Sequence, residues 1–212
     1  MKKFFVITII VMLIVCSCSN NTDNGTTGSD TTDQYTGMND TSNRQQDTTM
    51  LADSMFSIII DTSDKQLRVV KGADTIKTYS IAVGTAKYPT PVGSFRIHQI
   101  DFNPDWTPPE GDWAKNKKPE KPGSKKNPMG RARIIYQMPY TIHGTKDLNS
   151  LGEAESHGSV RMANEQVIEL ARLIMEETGT IKPESWFQEV LADSTKMISV
   201  DLKRTVALTN RE

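Results

Sequence analysis

What most limits the fold of this chain is the period of its apolar residues. From Ser54 onward they recur at every second position in short runs, separated by polar turns, which is the pattern of half-buried strands. The stretch "SIIIDTSDKQLRVVKGADTIKTYSIAVG" reads as two or three strands with turns at "DTSDK" and "KGAD", and "GSFRIHQI", "ARIIYQM" and "MISVDLKRTVAL" continue the signal. Helical periodicity is clear once: Val167, Leu170, Ala171, Ile174 and Met175 fall on one face, with Asn164 as the expected N-cap and Gly179 as the expected stop. A shorter helix is expected after Pro183, turning Trp186, Phe187, Val190 and Leu191 inward. The spacing therefore predicts one mainly β domain over residues 54–209, with one or two helices covering a sheet and no internal repeat. A segment of roughly 150 residues is enough for one packed core.

The residues before that domain are of another kind. Lys2 and Lys3 precede an apolar run from Phe4 to Val15, too short to span a bilayer and suited to a secretory leader. The run ends at "VCSC", where a valine and a serine precede Cys18 in the manner of a bacterial lipobox. The expectation is a signal over 1–17 and a lipid-carrying Cys18, with Ser19 after it favouring the outer over the inner membrane. Residues 19–53 are Thr, Asn, Asp, Gly, Ser and Gln with six aspartates against Arg44, so 18–53 reads as a lipidated, disordered tether. Its expected reach is about 30–35 Å. Because Cys16 and Cys18 are the only cysteines, the folded domain has no thiol for catalysis, disulfide or metal. A net charge of −1 excludes the global basic field that nucleic-acid binding requires.

Chemistry has few candidate residues. There are three histidines, of which His98 lies in the strand "GSFRIHQI" and reads as structural or surface. His143 ends the β-like run "YQMPYTIHGT", and His157 follows fourteen residues later in "ESHGSVRM". Two histidines each followed by glycine could begin a zinc site, but no Asp or Glu stands at a familiar ligand spacing, so neither metal nor other cofactor is expected.

Five segments stand in one order: "YPTPVGSFRI", "NPDWTPP", "NPMGRARI", "IHGT" and "SHGSVRM". With them the chain resembles the bacterial L,D-transpeptidases of the YkuD type, from Ser57 to about Leu208. The resemblance implies a β-sandwich-like catalytic domain with capping helices, acting in the periplasm on peptidoglycan stem peptides. In that family a cysteine attacks the carbonyl of a meso-diaminopimelate residue, releases the terminal D-Ala and passes the acyl group to an amine of a second stem or a lipoprotein. Carried onto this sequence, His143 matches the general base and His157 the second histidine. Gly158 and residue 159 would supply oxyanion N–H groups, Arg161 stands at the family's arginine, and Gly144, next to the base, is expected among the oxyanion and substrate-binding residues together with Trp106. Trp106 and Trp113 belong to a loop that would cover substrate. The lysines of "KNKKPEKPGSKK" read first as a solvated face, with attraction of anionic wall polymer as the functional alternative.

At the nucleophile position the chain departs from the family: residue 159 is serine. A cysteine is already a few per cent thiolate near neutrality, whereas a serine must lose its proton to a base during attack. A hydroxyl in a site shaped for sulfur also sits too far from base and carbonyl, and a misplacement of about 1 Å can cost on the order of 10²-fold. Three readings stay open from the sequence: acyl transfer from Ser159, a peptidoglycan-binding module without catalysis, and a serine peptidase that trims stems.

Overall fold

The computed structural model describes Met55–Glu212; the leader, Cys18 and the polar stretch lie outside the described residues. Three strands open the domain as an antiparallel meander: β1 (Phe56–Asp61), β2 (Gln66–Lys71) and β3 (Asp74–Ser80). Their two-residue period holds, since Ile58, Ile60, Leu67 and Val69 are fully buried. Next come the short β4 (Val83–Gly84) and the long β5 (Gly93–Phe102), then the hairpin of β6 (Ala132–Gln137) and β7 (Tyr140–Thr145). The short β8 (Ala154–Ser156) pairs with β4, and β9 (Val160–Ala163) runs parallel to β7. Two helices follow, α1 (Asn164–Glu177) and α2 (Glu184–Ala192), before the last strand β10 (Ile198–Arg211) inserts between β1 and β5.

The large sheet thus has the order β3-β2-β1-β10-β5-β6-β7-β9. Its two edge strands do not stay apart. Ala82, just past β3, exchanges both backbone hydrogen bonds with Arg161 of β9, at 3.0 and 2.9 Å. The sheet therefore curls until its edges touch, and the strand edges find partners instead of facing water. The fold is mainly β with two helices, as the apolar period predicts.

Helix α1 packs against β6, β7 and β9, and the stripe Val167, Leu170, Ala171, Ile174 and Met175 is buried throughout. Its end is a Schellman turn: Gly179 takes φ +72°, its N–H donates to Glu176 O, and the Thr180 N–H donates to Met175 O. Its start corrects the expectation for Asn164, which is the first helical residue and caps nothing. Asn164 Oδ1 instead accepts the Arg131 N–H at 2.9 Å, and it sits where a Cβ on either Gly130 or Gly144 would meet it, at 2.4 and 2.3 Å.

Helix α2 sets Trp186 and Phe187 edge-on against the buried Phe102 of β5, with centroids 5.6 and 6.0 Å away. Its last carbonyls are held from the opposite side of the chain. Asn103 Nδ2 donates to Val190 O at 2.8 Å and Arg131 Nη2 to Leu191 O at 2.6 Å, while Arg131 Nε donates to Asn103 Oδ1 at 2.9 Å. Both ends of the long connection 103–131 between β5 and β6 are anchored there. A connection of this length without strands or helices of its own is uncommon and usually functional.

Gly144→Ala should lower unfolding stability by about 2 kcal/mol in urea titration, because the new methyl meets Asn164 Oδ1 and comes within 3.0 Å of the Arg131 backbone nitrogen. Combining it with Asn164→Ala should recover part of that loss.

Candidate active site

Three neighbouring strands fix the histidine. Arg133 of β6, His143 of β7 and Arg161 of β9 stand in register side by side, so the pleat sends their side chains to one face. His143 is only 3% exposed. Its Nδ1 lies 2.9 Å from Gly144 O, and because a carbonyl only accepts, Nδ1 carries the proton and the Nε2 lone pair remains available. Burial pushes the imidazole pKa down to about 4; the Gly144 carbonyl opposes that shift, and the Arg161 and Arg133 charges add to it. Arg133 is itself paired, with Asp101 at 2.7 Å and Asp105 at 3.5 Å.

The serine lies in the tight turn between β8 and β9. Gly158 takes φ +102° there, and a Cβ at that position would lie 2.5 Å from Tyr140 Cε1, so the turn tolerates only glycine. Ser156 Oγ braces the turn twice, accepting the Gly158 N–H at 3.1 Å and donating to the Ser159 carbonyl. The Ser159 hydroxyl accepts the Thr141 N–H at 3.2 Å, which holds it against β7 two residues from His143. One expectation changes accordingly. The Gly158 N–H is engaged by Ser156, whereas the Ser159 N–H has no hydrogen-bond partner among the described residues, leaving it as the open donor of the turn.

His143, His157, Ser159, Arg161 and Trp106 all line one groove of about 870 Å³. Its walls are the loop after β4 and the 103–131 connection, here called the strap. His157 is exposed and stacks on Trp113 of the strap, with centroids 3.9 Å apart and rings at 20°, while Tyr88 from the other loop lies 5.0 Å away. Partial burial beneath these rings lowers the His157 pKa, and Arg161, Lys117 and Lys87 lower it further. Trp106 is nearly buried, and its backbone pairs with Glu120 at 2.9 and 2.8 Å, which closes the strap on itself.

One expected site residue lies elsewhere, and His98 lies at the surface as its strand position predicts. Gly144 is buried beneath the groove, where it makes room for Asn164 and offers its carbonyl to His143 rather than touching a ligand. His98 is exposed on β5 and does not line the groove. Sequence reasoning missed Ser156, Tyr140, Arg133 and Tyr88. Only Ser156 left a signal, since a serine two residues before a glycine N–H is the pattern of a side-chain turn.

The curled sheet thus brings a buried histidine and a turn serine into one groove. The model of the L,D-transpeptidase catalytic domain family, YkuD, matches residues 56–187. The chain belongs to that family. It is 31% identical to the YkuD protein of Bacillus licheniformis and 32% identical to that of Bacillus subtilis, over 120 residues in each case. Each match covers 56% of this chain and 60% of the relative, so the chain spans about three fifths of the curated relatives' length. Among solved structures, an L,D-transpeptidase from Mycobacterium smegmatis aligns with 74% of this chain and 58% of its own, at 11% identity and a TM-score of 0.46.

The depressed pKa of His143 has a consequence for stability. Unfolded, the imidazole takes its proton near 6.5; folded, it resists protonation down to about 4. The unfolded state therefore binds more protons between those values, and stability is full above 6.5 and falls as the pH drops toward 4. His143 should contribute on the order of 3 kcal/mol to that fall. Urea titrations across the range should show a shallower decline for His143→Gln.

Proposed function

We propose that the groove is the acyl-transfer site of an L,D-transpeptidase acting on peptidoglycan stem peptides, with Ser159 as nucleophile and His143 as base. The reading is supported by family membership and by one observation above all: a histidine with Nδ1 fixed on Gly144 O and Nε2 free, on the strand whose Thr141 N–H holds the Ser159 hydroxyl. In the first half-reaction the Ser159 Oγ–H proton passes to His143 Nε2 while Oγ bonds to the carbonyl carbon of diaminopimelate. The tetrahedral oxyanion takes the Ser159 N–H as donor. The C–N bond to the terminal D-Ala then breaks, and His143 returns its proton to the departing amine. In the second half-reaction an acceptor amine attacks the ester and loses its proton to His143. A new amide forms as Oγ leaves and regains the proton.

Arg161 and His157 face the same groove and position the substrate, and the strap with Trp106 and Trp113 covers it. We further place the domain outside the cytoplasm, on a tether anchored through an acylated Cys18. Metabolic palmitate labelling should be lost in Cys18→Ala; label that survives the change contradicts the anchor.

Mass spectrometry of protein incubated with a tetrapeptide stem, and separately with a carbapenem, tests the reaction. Wild type should acylate slowly with the stem and resist the carbapenem. Ser159→Cys should acylate on the order of 10²-fold faster, because a thiolate needs no proton transfer in the attack. Ser159→Ala should not acylate. Inertness of all three would mean that the groove binds stems without reacting, and shortened stems without new cross-links would mean that water is the acceptor.

A further inference from the structure

The groove carries more positive charge than its neighbours balance. Six lysine and arginine side chains line it against two glutamates. One of the two, Glu120, accepts the Ser124 hydroxyl at 2.6 Å, and Arg133 is already paired with Asp101 and Asp105. The other five, Lys87, Lys117, Lys118, Lys126 and Arg161, form no ion pair among the described residues. They come from three separate segments: the loop after β4, the strap and β9.

Three cations, Lys87, Lys117 and Arg161, line the groove together with His157, and, beyond burial, their charges lower its pKa. The ring is flanked by Trp113 and Tyr88, so this corner of the groove is lined by aromatic faces as well as by cations. Lys87 lies over the Tyr88 ring, its Nζ 5.2 Å from the centroid, and the Lys117 N–H donates to Ala114 O at 2.9 Å in the turn that carries Trp113. The elements that hold the two lysines are thus the elements that hold the two rings. Like charges brought together in a partly enclosed site repel until an anion enters between them. Arg161 offers a planar fork that fits a carboxylate, the lysines add point charges, and the aromatic faces suit the aliphatic stem of a peptide.

We propose that Lys87, Lys117 and Arg161, grouped around His157, form a carboxylate-binding subsite of the groove. This subsite selects ligands with a free carboxylate over the corresponding amides. The acyl-transfer reading supplies only the choice of probe. The same corner then sets which stems the protein accepts: amidation of the carboxyl that reaches it removes the counter-charge and leaves the cations unpaired.

Calorimetric titration of the whole chain carrying Ser159→Ala, so that no turnover intrudes, tests this with three tetrapeptide stems. One has all carboxylates free, one is amidated at the diaminopimelate side-chain carboxyl, and one is amidated at the C-terminus. One amidated stem should bind about tenfold more weakly than the free stem, which also identifies the carboxylate concerned. In the Lys87→Gln/Lys117→Gln background that difference should shrink to about twofold. As a readout independent of affinity, the ring titration of His157 followed by NMR should move upward on binding the free stem. It should also move upward in the ligand-free double variant, where two repelling charges are gone. Equal affinity for all three stems, no binding of the free stem, or full discrimination retained by the double variant overturns the proposal. Discrimination without acyl transfer by the wild type would leave the subsite and remove the enzymatic reading. Transfer at equal rates from free and amidated stems would do the reverse.

Discussion

The backbone pairing of Ala82 with Arg161 is the contact on which the site depends. Each of its two hydrogen bonds contributes only about 0.5–1.5 kcal/mol net, but together they decide where the edges of an eight-stranded sheet end. Because the sheet curls to make them, β9 is held between β7 and the chain leaving β3 rather than left as an open edge. Thr85 then donates to Ser156 O and Val83 to Glu153 O, at 3.1 Å each, which carries the loop with Lys87 and Tyr88 to the mouth of the groove. One closure thus places the histidine strand, the serine turn and a groove wall together.

Electrostatics explain why the buried histidine is useful there. A charged imidazole at this depth between Arg133 and Arg161 would be costly, so the fold keeps His143 neutral. A neutral imidazole whose Nδ1 proton is committed to Gly144 O keeps its Nε2 lone pair, the atom that the proposed acyl transfer uses as base. The arrangement also bears on the serine. In the proposed acyl transfer, the backbone donor from Thr141 and the cation at Arg161 would both favour negative charge developing in the turn and so offset part of the handicap of a hydroxyl relative to a thiol.

Much of this was legible in the sequence because local periods decided it. The alternation in β1 and β2 and the stripe on α1 became buried faces residue for residue, and Gly179 ended its helix as a left-handed residue should. The errors have a common physical origin in long-range contact. Asn164 stands where an N-cap belongs, but a backbone N–H from Arg131, thirty-three residues away, competes for its side chain and wins because Gly130 and Gly144 leave room for it. Gly144 resembled a ligand-binding glycine beside the base and is instead the floor on which Asn164 rests. Tyr88, Trp113 and His157 meet only once the sheet has curled, so nothing in their separate segments announced one cluster. His143, His157, Ser159 and Arg161 were singled out through the segments that frame them, and they line one groove; the roles assigned to them there are proposals.

The central claim is that the fold delivers a neutral His143 with Nε2 free beside Ser159. The nitrogen-15 shifts of the His143 ring, followed by NMR as the pH is lowered, test it most directly. The account predicts a protonated, pyrrole-type Nδ1 and an unprotonated, pyridine-type Nε2, persisting well below 6.5 and giving way only near pH 4. An Nε2-protonated tautomer, or an imidazolium already formed at an ordinary histidine pKa, would contradict it.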